Sequence, residues 1–431
     1  MKSLKAVFLV LVTVLFFSLV TEAESQGFDW PRWGGPNANW ISEETDWNPN
    51  ALAGGPRLLW KTNVGIGYSN VAIKNNRLYA IGLLEDSNVV FCLNAETGKK
   101  IWQYSFESLE EPQGTPTVDD DSVYTLSKEG ILLCLNIMNR KLRWKKDLVA
   151  DFGAVKPYYG FAGSPVIEGS LVVLTANTSG MALNKNTGEL VWGSTKPPRT
   201  FPSYDSDTTT GTEYTTPVLF SHGGERYALI SSYAGLHAAN VKTGVLRWIH
   251  PWELYFGSLE ADPLVVGNRI YVDGDCTRKK TPSSLLLQMT DGRPTVLWAS
   301  PDLVTDTTNP VLVDGYLYGC HGGPGAWSPP ASLRCLELET GRLMWQDTLG
   351  EPPRKGVFSL MAADGKLIVL NDKGILFIAE ASPAGFKPIS KADVLRGEKT
   401  IRMFYTPPVL CNGRIYCRNH AGELICIDVR K

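Results

Sequence analysis

Cys92-Leu93-Asn94-Ala95-Glu96-Thr97-Gly98-Lys99-Lys100-Ile101-Trp102 is a stretch that the chain repeats along its length. Thr-Gly precedes Trp with three residues between them at Thr97-Gly98/Trp102, Thr187-Gly188/Trp192, Thr243-Gly244/Trp248 and Thr340-Gly341/Trp345. Asp291-Gly292 before Trp298 is a stretched copy, and Asn139-Arg140 before Trp144 a degenerate one. Together with Trp60 the seven Trp residues are spaced by 42, 42, 48, 56, 50 and 47 positions. A glycine just after an apolar run suits a tight turn, because it reaches positive φ without a steric cost. Each copy therefore reads strand, tight turn, strand.

A second signature opens each unit: a polar residue, Pro, then apolar residues. It appears as Thr115-Pro116, Ser164-Pro165, Thr216-Pro217, Asp262-Pro263 and Asn309-Pro310, with Pro407-Pro408 in the last unit. Asp314-Gly315, Asp364-Gly365 and Asn412-Gly413 then mark hairpins between apolar runs. Pro is tolerated at the first residue of a strand, where its missing N–H breaks no ladder bond. Four short antiparallel strands in roughly 45 residues is the period of a propeller blade. Six units end at Trp102 to Trp345, a seventh runs from Ser359 to Val394 without the Trp, and an eighth from Thr406 to Arg430 stops after three strands. Arg57-Leu58-Leu59-Trp60 supplies the missing strand from the other end of the chain. The expected fold is all-β: an eight-bladed β-propeller of four-stranded antiparallel blades, the last closed by the N-terminal strand.

The small-Leu-Asp/Asn-x-x-Thr-Gly-x-x-x-Trp repeat resembles that of pyrroloquinoline-quinone (PQQ) type eight-bladed propellers. Asp29-Trp30-Pro31-Arg32-Trp33-Gly34-Gly35-Pro36-Asn37 is similar to the leader of exported bacterial PQQ-like repeat proteins. The resemblance covers nearly the whole chain after its first segment. It implies either of two functions: a quinoprotein dehydrogenase using PQQ and calcium, or a BamB-like scaffold without catalysis.

Composition agrees with a large globular fold. The 431 residues are 43% hydrophobic and 20% charged, which excludes a disordered chain or a coiled coil. A formal net charge of -2 argues against a nucleic-acid or anionic-membrane partner. Lys2 and Lys5, the uncharged run 6–20 and Thr21-Glu22-Ala23 read as a signal peptide cleaved after Ala23. The run is short for a membrane span, and no Cys follows it to carry a lipid. The expected organisation is a signal peptide at 1–23, an extension packing on the propeller at 24–53 and the propeller at 54–431. A periplasmic or secreted monomer is expected, without a membrane span once the signal is removed.

The repeat Trp residues are read as packing between blades, where each ring buries roughly 150–250 Å². Cys92, Cys134, Cys335 and Cys426 share one repeat slot that holds Ala at Ala182 and Ala238, so a small buried side chain is wanted there. Cys276, Cys320, Cys411 and Cys417 remain; a Cys276–Cys320 bridge is conceivable, while Cys411 and Cys417 would not face each other in their hairpin. The five scattered His form no His-x-x-x-His pair, there is no haem motif, and Asp119-Asp120-Asp121 sits at a hairpin turn, so no metal site is expected.

The first and third turns of a blade lie on one face of the ring, and the long insertions fall on the other. They include 193–214 with Asp205 and Asp207, 274–284, and 320–332 with His321 and Trp327. Such loops on a rigid scaffold are where binding residues collect. Residues just before each first strand are expected at the channel mouth on that face: Tyr158, Tyr159, Phe161, Glu213, Tyr214, Glu260, Asp262, Asn309, Arg402 and Tyr405. No catalytic residue or cofactor is expected. The leading reading is a non-catalytic binding or scaffolding module for a protein, glycan or small molecule. The alternative is a PQQ- and calcium-dependent alcohol or sugar dehydrogenase with Glu260 or Asp262 as base.

Overall fold

The computed structural model describes residues 27–157, 159–177, 179–193, 214–232, 235–252, 261–274, 283–305, 308–323, 328–395 and 405–431. Its strands form eight antiparallel sheets arranged as a propeller, seven of four strands and one of five. Blade 1 runs through Ala72–Lys74, Arg77–Leu84, Ser87–Asn94 and Lys100–Glu107, and the other blades repeat that order. In blade 8 the outer strand is Arg57–Asn63, paired antiparallel with Glu423–Asp428 so that Trp60 stands opposite Cys426. The two ends of the chain thus share one sheet. Blade 7 departs from the expected four strands, because Ile41–Ser42 adds a parallel strand inside Phe358–Ala363.

The repeat pattern is explained at the seams between blades. In six of the seven repeats the Trp indole N–H donates to a carbonyl of the following blade, among them Trp60 to Ala95 at 3.0 Å, Trp102 to Ile137 at 3.1 Å, Trp192 to Val241 at 2.7 Å and Trp298 to Leu338 at 2.8 Å. The turn glycine of the following blade lies flat on the same ring. A Cβ at Gly98, Gly188, Gly244 or Gly341 would fall 2.6–2.7 Å from Trp60, Trp144, Trp192 or Trp298. These glycines also sit at φ of 67–71°, so both close approach and backbone conformation exclude a side chain. Gly244→Ala is accordingly expected to cost about 1–2 kcal/mol, read as a lowered urea midpoint. Asn94 holds the turn by accepting the N–H groups of Glu96 and Thr97 at 3.1 and 2.9 Å, an Asx turn repeated at Asn136, Asn184 and Asn240. Arg140 takes the left-handed position in the degenerate copy with φ 56°.

Within a blade, the small slot lies between Trp and a tyrosine of the second strand. Tyr79, Cys92 and Trp102 stand in register on three neighbouring strands, as do Tyr416, Cys426 and Trp60. The Tyr and Trp rings are 5.9–6.0 Å apart in both, leaving room for a thiol or methyl only. Burial pushes the Cys92 thiol up to about 11, so it packs rather than reacts. Cys411 and Cys417 are buried free thiols, and Cys276 lies outside the described residues.

A strap formed by residues 28–44 crosses the short-turn face. It starts at the Asn412-Gly413 hairpin of blade 8, where the Phe28 N–H meets Asn412 Oδ1 at 2.8 Å. Trp30 then exchanges backbone bonds with Ile73 of blade 1, and Pro31 accepts the Val118 N–H of blade 2. Trp40 accepts the Ala362 N–H of blade 7, and Glu44 returns to Asn412 and Gly413, accepting both N–H groups at 2.7 Å. Both ends of the strap are therefore pinned to one turn. Trp33 and Trp40 pack edge to face at 4.6 Å, which stiffens the segment where it spans the channel.

Candidate functional site

The residue before each opening Pro points around the channel and touches the preceding blade. Thr115 Oγ1 accepts the Asn70 N–H at 2.8 Å, Ser164 Oγ that of Thr115 at 2.9 Å, and Thr216 Oγ1 that of Ser164 at 3.0 Å. Asp262 Oδ1 accepts from Thr216 at 2.7 Å, and Asn309 Oδ1 from Asp262 at 2.8 Å. Ser359 donates to the Thr406 carbonyl at 3.1 Å, and the Asn70 amide reaches the Pro407 carbonyl at 2.9 Å. The result is a circumferential belt. Short polar side chains precede Pro because only they satisfy the neighbouring blade's N–H without filling the channel.

This belt absorbs two of the residues expected at the channel mouth, Asp262 and Asn309. Asp262 Oδ2 accepts the Trp33 indole N–H at 2.6 Å and the Asn309 amide at 3.0 Å, while Oδ1 serves Thr216. Partial burial pushes its carboxyl up to about 6, against the pull of those three donors. A carboxylate with both oxygens engaged by the protein does not fit a calcium ligand or a base beside a quinone. Nor is there room, since the cleft that Arg32, Trp33, Ser164, Thr216 and Asp262 line has a volume of about 10 Å³, space for about one water. Among the described residues no cluster of three His, Cys, Asp or Glu is placed to hold a metal. Glu260 lies outside the described residues.

Two residues upstream of the belt, on the long-loop face, the repeat places a second ring of positions. Tyr68, Gln113, Tyr214 and Tyr405 occupy it in blades 1, 2, 4 and 8. Tyr68 stacks between Tyr405 at 5.4 Å and His420 at 4.4 Å, and His420 Nε2 lies 2.8 Å from Glu111. Gln113 donates to the Tyr159 carbonyl at 2.9 Å. Tyr159 in turn gives its N–H to the Tyr214 hydroxyl at 3.1 Å, with the two rings 5.8 Å apart. Tyr159 is 59% exposed, an aromatic face turned to solvent on an ordered support. Glu110 beside it is held below the usual carboxylate range by Lys156 and Lys128, which outweigh its desolvation.

The structure therefore brings Tyr159 and Tyr214 together but sets Tyr405 apart with Tyr68. Phe161 is buried in the core between blades 2 and 3. His321, expected on the loop face, is also buried; its Nδ1 accepts the Val304 N–H at 3.2 Å, and desolvation assisted by Arg334 pulls it down to about 4. Tyr158, Asp205, Asp207, Glu213, Trp327 and Arg402 lie outside the described residues. Tyr68, Gln113, Glu111 and His420 were not among the expected residues. Aligning Asn70 with the later belt positions would have found Tyr68 and Gln113, but blade 1 has Val71 where six of the other blades carry Pro.

Comparison with known proteins joins these observations to a family. A family model described as outer membrane protein assembly factor BamB, built on the PQQ repeat, matches residues 53–123 and 85–346. The protein of that name from Yersinia pestis is 27% identical over 384 residues, covering 86% of this chain and 77% of its own. That from Escherichia coli K12 is 26% identical over 390 residues, covering 75% and 88%. Among solved structures, BamB from Moraxella catarrhalis superposes with a TM-score of 0.60 at 17% identity, over 86% of this chain and 99% of that one. Quinohemoprotein alcohol dehydrogenase from Comamonas testosteroni gives 0.61 at 14% identity, over 93% and 80%. Both structures share the propeller, and at that identity they speak for the fold alone. With the repeat, the seams and more than half the chain matched by one model, the protein belongs to the PQQ-repeat propeller family described by outer membrane protein assembly factor BamB.

Proposed function

We propose that this chain is an exported, non-catalytic propeller that acts as a binding or scaffolding module, taking a protein partner on its long-loop face in the periplasm or outside the cell. One observation carries this reading: the chain's own strap fills the short-turn end of the channel and ties up Asp262, while the opposite mouth presents Tyr159, supported by Tyr214 and Gln113. Aromatic side chains on a rigid support supply contact area at little entropic cost, which is how protein interfaces are anchored. The two relatives named as assembly factors agree with a scaffold.

A photo-crosslinking amino acid at Tyr159, in the exporting host, is expected to capture a protein, and the same probe at Thr187 on the opposite face is not. Tyr214→Ala in that background lowers capture at least tenfold. The dehydrogenase alternative is tested in parallel by titrating PQQ with Ca²⁺ and assaying alcohol-dependent dye reduction. Saturable binding with turnover would overturn the scaffold reading.

A further inference from the structure

Two short basic stretches of neighbouring blades gather on one edge of this nearly neutral protein. The outer strand of blade 2 and its turn hold Arg140, Lys141, Arg143, Lys145 and Lys146 within seven residues. Blade 1 adds Lys99 and Lys100 in the equivalent turn. Arg143 pairs with Asp121, but among the described residues no carboxylate lies within ion-pair distance of Lys99, Arg140, Lys141 or Lys145, all of them exposed. Aliphatic side chains stand exposed between the charges: Leu58, Ile101, Met138 and Leu142. The turns are locked into one rim, because the Ala95 carbonyl accepts from Trp60 of blade 8, and the Ile137 carbonyl from Trp102 and Arg77 of blade 1.

That rim belongs to the short-turn face, and the chain enters the fold on the same face. Phe28 is held by Asn412 at the hairpin between the two inner strands of blade 8. The chain therefore enters the propeller on the same face as the basic rim and opposite Tyr159. We propose that the short-turn rim of blades 8, 1 and 2 docks on an anionic lipid bilayer, with exposed aliphatics at headgroup level and the unpaired cations against the lipid charge. The long-loop face is then held away from the membrane, open to a partner. The overall charge of -2 hid this surface, because neutral totals do not report local clusters.

The test is flotation of the chain from Glu24, which contains every described residue of the closed ring, with equimolar phosphatidylglycerol and phosphatidylcholine vesicles at low salt. Binding is expected, with none to pure phosphatidylcholine and loss in high salt. Arg140→Glu, Lys141→Glu and Lys145→Glu together lower partitioning about a hundredfold, whereas Arg293→Glu, Lys355→Glu and Lys387→Glu, an equal charge change elsewhere, leave most of it. Matching circular dichroism melts show that both variants fold. Equal loss in the two triple variants, or no binding to anionic vesicles, overturns the proposal. Retention on polyglutamate in the absence of vesicle binding would assign the rim to an acidic polypeptide instead.

Discussion

Trp60→Ala lowers the free energy of unfolding by about 3–5 kcal/mol, the range for removing a buried Trp. At about 2 cal/mol/K per residue over about 400 residues, that is a fall in Tm of about 5 °C. The side chain touches two elements far apart in sequence, the 95–98 turn of blade 1 and the Arg414–Arg418 strand of blade 8. Its ring lies under Gly98, its N–H bonds the Ala95 carbonyl at 3.0 Å, and it packs 5.9 Å from Tyr416. Like the other seam tryptophans, Trp60 meets the blade that follows its strand along the chain, but its own strand is held to the rest of blade 8 by pairing alone. Its loss is therefore expected to be local as well as global: amide exchange in Arg57–Asn63 and Glu423–Asp428 rises towards that of an open edge. Trp192→Ala, at a seam inside the ring, costs similar energy without exposing those strands. If the two variants give the same exchange pattern, ring closure does not depend on this contact.

The propeller is legible in the sequence because its seams are local in pattern though distant in space. Thr97-Gly98 and Trp102 belong to one blade, yet Gly98 exists for Trp60 and Trp102 for Ile137. Identical seams leave identical marks, so repetition reveals what a single copy would not. The fifth strand of blade 7 left no mark. Ile41–Ser42 is two residues long, pairs parallel, and borrows its partner from a segment more than 300 positions away.

The candidate site was less legible because the same positions carry two kinds of demand. Asp262 looked like chemistry, an acid before a proline at a channel mouth. Its oxygens are spent on the belt and on Trp33, a contact spanning 229 positions that no local pattern encodes. Tyr159 and Tyr214 were named from their place in the repeat and do meet. Tyr68 went unread because the signature that aligns its neighbours lacks its proline in blade 1.

Asp273 makes the fold less stable as pH rises from about 4 to 7. Its side chain is 2% exposed, accepts hydrogen bonds from the Tyr271 hydroxyl at 2.9 Å and from Thr305, and has no cation within ion-pair distance among the described residues. Desolvation raises its carboxyl from 3.8 to about 7, more than those two donors can offset. Across that window the folded state keeps a proton that the unfolded chain has lost, so the group's contribution is full below pH 4 and gone above pH 7. Three units correspond to about 4 kcal/mol. Two buried histidines run the other way: His237 and His321, both pulled down to about 4 by burial, add stability as pH rises to about 6.5. Asp262, raised to about 6, runs with Asp273, so the comparison of parent and variant isolates Asp273. Asp273→Asn has no charge to bury, and its amide still meets Thr305 and Tyr271. The variant is expected to be more stable than the parent by about 2 kcal/mol at pH 8 and no more stable at pH 4, measured by urea unfolding at both. Parallel pH profiles for the two proteins would show that the Asp273 carboxylate is solvated.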